Sequence, residues 1–406
     1  MTVSFGGLLV VTLIALGAPI VVSLIPGLRI PSVVVELLAG IVVGPSVLGW
    51  VKVDKPIEVL AVVGLAFLLF LAGLEIDLMA LRGDLLRLPL IGFGVTLVIG
   101  FGAGLVLKGV GWIDDPLFLA IALAATSLGL VVPVMKDAGQ VERPLGRFTI
   151  AGATIADFGA VILLALLFSE SKGGAASRFI SFGLFVAVVA AVAFALLRAG
   201  RSVRLDSLFV RLQDTTAQIR VRVAVALVIG FAALASRAGL EVILGAFLAG
   251  AVLGLVDRDV MTHPHFRIKL DAIGYGFVIP VFFVTSGLRF DLDALTRQPS
   301  ALARVPIFVL ALLAARGLPA LAYRRHLGTR STVAAALLQA TSLPFIVTAT
   351  GIGVSIGAID AVTSAALVAA GLVSVVVFPP VAISLLRSET LVDSADLPTI
   401  ESTLSH

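Results

Sequence analysis

The chain has 406 residues, of which 59% are hydrophobic and 13% charged, and its mean hydropathy is +1.15. Soluble domains carry roughly 25% charged residues, so this density leaves too little polar surface to face water. Apolar runs of about 20 residues, instead of shorter alternating segments, also exclude a porin-like barrel. The expected fold class is an all-α polytopic membrane protein. With no cysteine there are no disulfides, thiolate metal sites or Cys nucleophiles, and the four histidines (His263, His265, His326, His406) lie in hydrophilic stretches. No cofactor or resident metal is expected, and no enzymatic activity.

Apolar runs bounded by charges, Pro or Gly define thirteen expected spans, at 5–25, 31–49, 56–75, 88–107, 116–135, 144–168, 178–197, 219–236, 240–256, 271–288, 300–323, 331–351 and 358–386. The eighth and ninth are divided only by Ser236 to Gly239. Loops after odd-numbered spans collect 19 Lys and Arg and the opposite loops 8. The positive-inside rule therefore predicts a multi-pass cell-membrane protein with its N-terminus outside and its C-terminus cytoplasmic. The net charge of +4 reflects this orientation. The cluster Arg198, Arg201, Arg204, Arg211, Arg220 and Arg222 is expected to lie against anionic headgroups of the lipid bilayer, not on nucleic acid. The membrane domain is expected over 1–387, followed by an unstructured cytoplasmic tail at 388–406.

The chain repeats itself. Leu38-Ala39-Gly40 matches Leu248-Ala249-Gly250, Gly73-Leu74 matches Gly287-Leu288, Arg87-Leu88-Pro89 matches Arg304-Val305-Pro306, and Ala125-Thr126-Ser127-Leu128 matches Ala340-Thr341-Ser342-Leu343. The order is kept and the offset stays between 210 and 217. Spans 2 to 6 and 9 to 13 thus form two five-helix repeats, inverted because an odd number of crossings separates them. Inverted repeats with discontinuous helices at mid-membrane characterise secondary transporters. The paired Thr-Ser-Leu elements, followed by Gly129 and Pro133 or by Pro344, mark the expected breaks in spans 5 and 12.

Two ionisable residues fall deep in apolar runs, Asp157 and Arg316. A charge at mid-bilayer costs at least ~2.5 kcal/mol on insertion scales, so it faces protein or a water-filled cavity and serves ions or protons. Asp157 is the leading site candidate, with Thr154 one turn earlier on the same helix face. The plainer alternative is a static Asp157–Arg316 ion pair. Glu36, Glu75, Asp77, Glu241 and Asp291, near span ends, read as interface anchors or helix caps. The His263-Pro264-His265 segment reads as solvated loop.

The run from Pro31 to Gly49 (PSVVVELLAGIVVGPSVLG) resembles the opening signature of the monovalent cation:proton antiporters, in the branch with the glutathione-gated potassium-efflux transporters. Phe67 to Asp77, Leu244 to Gly250 and Pro280 to Leu288 are similar to later signatures. The resemblance implies a homodimer with spans 88–168 and 300–386 as a mobile core, 5–75 and 219–288 as a scaffold, and 178–197 as linker. It identifies Asp157 with the ion-carrying aspartate and Thr126 and Ser127 with the unwound element beside it. Arg316 matches the basic residue on the opposing core helix. Thr341, Ser342 and Gln339 would support the core. Two departures stand out: Ala156 replaces the polar residue often found before the aspartate, and no Gly-rich phosphate loop is present, so gating by an attached nucleotide-binding domain is not expected.

The expected function is exchange of Na+ or K+ for H+ by alternating access, Asp157 binding either cation or proton transiently, with Thr126, Ser127 and Thr154 supplying oxygens. The alternatives are a cation channel and a non-transporting membrane sensor on the same fold.

Overall fold

The computed structural model describes residues 5–24, 31–75, 82–168, 175–199, 218–256, 264–296 and 299–395. The described residues are helical almost throughout, with no strand. In chain order the helices are α1 (Phe5–Leu24), α2 (Ser32–Val43), α3 (Lys55–Leu74), α4 (Asp84–Gly109), α5 (Pro116–Ala122), α6 (Leu128–Asp137), α7 (Pro144–Leu167), α8 (Ala175–Ala199), α9 (Ile219–Arg237) and α10 (Val242–Val256). There follow α11 (Pro264–Ile273), α12 (Ile279–Leu288), α13 (Leu292–Thr296), α14 (Pro299–Leu312), α15 (Arg324–Leu327), α16 (Thr329–Gln339), α17 (Pro344–Ser355) and α18 (Ala361–Ala395).

Among the described residues, nine helices are long and apolar enough to cross a membrane, and the bent pair α16 and α17 makes a tenth. Two further expected spans coincide with the shorter apolar helices Ser32–Val43 and Val242–Leu255, and one with the split pair α5 and α6. The expected break at Ser236 to Gly239 is a turn, with Gly239 in the left-handed region at φ +71. Helix α18 continues to Ala395, past the expected end of the last span at 386, and the expected tail beyond it, 396–406, lies outside the described residues. Asp77, His263, Arg201, Arg204 and Arg211 lie outside the described residues.

Proline shapes two of the spans. Pro280 has no N–H to offer the carbonyl four residues back, and Pro319 likewise fails Ala315. Each is preceded by a π-helical turn, Gly274–Val278 between α11 and α12 and Leu313–Gly317 after α14, the second followed by a 3-10 stretch, Leu318–Tyr323. Neither π turn was legible as more than a kink in the sequence.

Two glycine pairs set the packing of one half of the bundle. A Cβ on Gly40 would overlap the carbonyl of Val284, and one on Gly287 that of Leu37, so α2 and α12 touch backbone to backbone. Gly73 against Phe247 and Gly250 against Phe70 do the same for α3 and α10. Small residues permit such approach where lipid tails offer no hydrophobic drive between helices. Gly40 and Gly250 are repeat equivalents, as are Gly73 and Gly287. Each repeat therefore crosses the other through the same two motifs. Helix α3 runs antiparallel to the α11–α12 span, since Arg289 meets Glu58 at one end (3.7 Å) and Arg267 meets Glu75 at the other (2.8 Å). With α2 parallel to α12 and α10 parallel to α3, equivalent helices run in opposite directions.

Helices α1, α2, α3, α9, α10 and α11–α12 pack mainly on one another. Helices α4 to α7 form a second group with α14 and α16 to α18. The groups meet at contacts such as the Phe158 and Phe247 rings, 5.7 Å apart.

Gly250→Val forces α10 off α3, and the expected result is loss of the monodisperse peak of detergent-solubilised protein in size-exclusion chromatography. A Cβ at Gly94 meets nothing within 4 Å. Gly94→Ala should keep the peak and, through helix propensity, gain up to ~1 kcal/mol.

Candidate functional site

Both expected breaks are present. Residues 123–127 separate α5 from α6, and residues 340–343 separate α16 from α17. The breaks meet: the Ser127 N–H donates to the Thr341 carbonyl at 2.9 Å. The Thr126 N–H, freed by its own break, donates to Asp157 Oδ1 at 2.8 Å. Asp157, on α7, is thus fastened to the start of α6, where the helix dipole favours a negative charge.

Arg316 is 1% exposed and is aimed inward by the π turn it sits in. Its Nε and Nη2 donate to Thr126 Oγ1 at 3.0 and 2.6 Å, its Nη1 to Thr96 Oγ1 at 3.4 Å, and weaker bonds at 3.4 Å reach the carbonyls of Gln339 and Gly152. Thr126 Oγ1 in turn donates to the Gln339 carbonyl at 2.6 Å. Among the described residues no ion pair joins Asp157 to Arg316; Thr126 stands between them, its amide on the carboxylate and its hydroxyl under the guanidinium.

The other expected residues fall around this junction. Ser127 is the N-cap residue of α6, makes no capping bond with its side chain and lines the same cavity as Asp157. Thr154 is buried one turn before Asp157 on α7. Thr341 Oγ1 turns back to the Leu337 carbonyl at 3.1 Å. The Ser342 N–H donates to Ser374 Oγ (3.1 Å), which donates back to the Ser342 carbonyl (3.2 Å), while Ser342 Oγ is buried without a partner. Gln339 Nε2 donates to the Tyr323 hydroxyl at 3.3 Å. Thr96, the Gly152 carbonyl, Tyr323 and Ser374 were missed from the sequence, where a lone Thr or Ser in an apolar helix carries no mark of its partner.

The near-end acids divide. Asp291 caps α13 through the Ala294 amide at 2.8 Å, as expected. Glu75 is more than an anchor: it accepts from Arg267, and its carboxylate lines the cavity of Asp157. Glu36 is only 3% exposed, with Oε2 unpartnered, and so is a buried group, not an interface anchor. Arg304 is buried as well, its Nη1 on Thr363 Oγ1 at 2.7 Å and its guanidinium over the Trp112 ring.

The cavity lies between the two helix groups and is lined by Asp157, Thr126, Ser127 and Gly129 on one side and by Glu75 and Tyr275 on the other. It includes Glu75, at the C-terminal end of α3. A second cavity, lined among others by Glu241, Ser286, Asp291 and Thr348, occupies the Glu58–Arg289 end, and Asp157 is not in its lining. Among the described residues no cluster of three or more His, Asp or Glu has metal-binding geometry.

These features meet known proteins across nearly the whole chain. YjbQ of Bacillus subtilis (strain 168), named for Na+/H+ antiport, is 29% identical over 395 residues, 93% of this chain and 62% of YjbQ, so the chain spans less than two thirds of that relative. The Na+/H+-K+ antiporter GerN of Bacillus cereus is 30% identical over 66% of this chain and 67% of its own length. The fold is similar to that of the sodium proton antiporter MjNhaP1 of Methanocaldococcus jannaschii, solved at pH 8, with a TM-score of 0.56 at 17% identity, covering 96% of this chain and 98% of that one. The family described as "Sodium/hydrogen exchanger, transmembrane" matches residues 12–387, and the chain belongs to that family.

Proposed function

We propose that this protein is a secondary antiporter exchanging a monovalent cation, Na+ or K+, for H+ through a single site at Asp157. The observation that carries the reading is a carboxylate at the meeting point of two broken helices, lining a cavity shared with Glu75 and absent from the lining of the cavity at the other end of α3. A carboxylate is ionised when it binds a cation and neutral when it binds a proton, so the two compete for one group. In this reading the helices at 88–168 and 300–386 move as a core against a scaffold of 5–75 and 219–288, joined by 178–197, and carry Asp157 from one cavity to the other. The Glu75 end is cytoplasmic by the distribution of Lys and Arg. The protein works as a homodimer. Arg316 keeps a fixed positive charge beside the cation-free carboxylate, held by hydroxyl and carbonyl oxygens. Ser127, and Thr154 behind Asp157, complete the oxygen set for the cation, while Thr126 holds the carboxylate through its amide. Thr341, Ser342 and Gln339 support the core.

Asp157→Asn keeps the volume but can neither neutralise a cation nor carry a proton. Proteoliposomes of this variant should show no dissipation of a pH gradient on adding Na+, K+ or Li+; retained cation-driven proton flux would sink the assignment.

Thr126 and Ser127 should separate. Thr126→Ala removes the acceptor of two N–H groups of a buried guanidinium, and hydrogen bonds to charged groups are worth about 1.5–3 kcal/mol each. Thermal stability in detergent should fall by several degrees with loss of maximal rate. Ser127→Ala should leave stability near wild type and weaken apparent cation affinity. Identical behaviour of the two variants contradicts the division of roles.

With Ala156 beside it, Asp157 is the one group proposed to titrate, because a guanidinium holds its proton. One cation then moves against one proton and the cycle is electroneutral. A potential of 100 mV supplies about 2.3 kcal/mol to a cycle that moves one net charge. The Na+ gradient at which proton flux reverses should therefore be the same with and without a potassium–valinomycin potential, and a shift of the size expected for one charge shows a second titrating group.

A further inference from the structure

The chain has two tyrosines. Tyr323 is 1% exposed and engaged with Gln339 inside the core, whereas Tyr275 is 42% exposed and lines the cavity of Asp157. Tyr275 is the second residue of the π turn Gly274–Val278, and π turns inside α-helices commonly mark functional positions because the extra residue re-aims the side chains around it. The turn packs closely on α3: a Cβ on Gly274 would press to 2.8 Å from the Leu71 side chain. From there the phenol reaches across the gap between the two helix groups. A Cβ on Gly129 would lie 3.3 Å from Tyr275 Oη, which puts the hydroxyl on the first turn of α6, two residues from Ser127 and three from the amide that holds Asp157.

We propose that Tyr275 is a further cation contact, supplying a neutral phenol oxygen from the scaffold when the core is in the position seen here. The inference rests on the Asp157 reading above. Asp157, Ser127, Thr126 and Thr154 all ride on the core and keep their mutual geometry as it moves. Tyr275 does not ride with them. An oxygen fixed to the scaffold strengthens cation binding only while the site faces the Glu75 end, and it is left behind when the site faces the other. The consequence is an affinity that differs between the two faces, which the core residues alone do not produce.

The test is the apparent affinity for Na+ measured from each face separately, in right-side-out and inside-out membrane vesicles containing the full chain, for wild type, Tyr275→Phe and Tyr275→Leu. Tyr275→Phe keeps the ring and its packing and removes only the oxygen. The expected result is an apparent KM for Na+ about threefold to tenfold higher when Na+ is presented at the Glu75 face, with the KM at the opposite face unchanged. Tyr275→Leu should match Tyr275→Phe at both faces, since each lacks the oxygen. Equal weakening at both faces, or no change at either, overturns the proposal, as does a defect in Tyr275→Leu that Tyr275→Phe does not share. Asp157→Asn, run alongside, separates the two readings: exchange that survives in it removes the basis for any contact at this site, while abolished exchange in it together with an unchanged Tyr275→Phe rejects the Tyr275 contact alone.

Discussion

Every peptide group in the hydrocarbon layer needs a partner within the protein, because an unsatisfied one costs several kcal/mol there. Two helices of this protein stop at mid-span, and the structure follows from how their loose ends are tied. Ser127 N–H finds the Thr341 carbonyl, so each break is a partner for the other. Thr126 N–H finds Asp157. The Gln339 carbonyl takes the Thr126 hydroxyl and, more weakly, Arg316. The carboxylate is therefore part of the bonding that lets a broken helix exist in a membrane.

The same accounting explains why Asp157 and Arg316 do not form a static pair. A direct ion pair would satisfy both charges at once and leave the carboxylate no incentive to take up a cation or a proton. Here the guanidinium is occupied by the hydroxyls of Thr126 and Thr96 and by two carbonyls, all neutral. Its charge is dispersed over the oxygens of four residues, and the electrostatic influence on Asp157 passes across Thr126 without closing the acid off. Gly152 is part of this arrangement, because a Cβ there would run into the Gln339 amide. The packing of α7 against α16 and the binding of Arg316 thus share one small residue.

Much of this was legible in the sequence because the bilayer punishes ambiguity. Apolar length marks spans, a Thr-Ser-Leu element with a following Pro marks a break, and a lone Asp157 in an apolar run marks a carboxylate that meets one of the breaks. The glycines of the Leu-Ala-Gly and Gly-Leu motifs showed the repeat, but not that Gly40 meets Gly287 and Gly73 meets Gly250, since pairing across repeats is a tertiary fact. Glu36 misled, lying near a span end where charge usually reaches water, yet it is buried. The π turns escaped because Pro280 and Pro319 announce a lost hydrogen bond without saying how the helix absorbs it. Thr126 was read as a cation ligand from its side chain, whereas in the structure that hydroxyl is taken by Arg316 and Gln339 and its amide faces Asp157.

The repeat also shows where the two halves part. Ser374 follows Asp157 at an offset of 217, the same as that between Pro89 and Pro306, so the two residues occupy equivalent places on the last helix of each repeat. Their tasks are similar but one residue out of register: Asp157 accepts the N–H of Thr126 at the first break, and Ser374 Oγ accepts the N–H of Ser342, the equivalent of Ser127, at the second. A hydroxyl both accepts and donates, and Ser374 returns its proton to the carbonyls of Ser342 and Gly371, which closes the second break on itself. An ionised carboxylate can only accept, and after taking the Thr126 amide it retains negative charge and free lone pairs. Arg316 donates to neutral oxygens beside the first break and not to this carboxylate. The two ties sit one residue apart in the repeat and differ in chemistry, a carboxylate holding the first break and a hydroxyl the second. Among the described residues, only the first break is tied by an ionisable side chain.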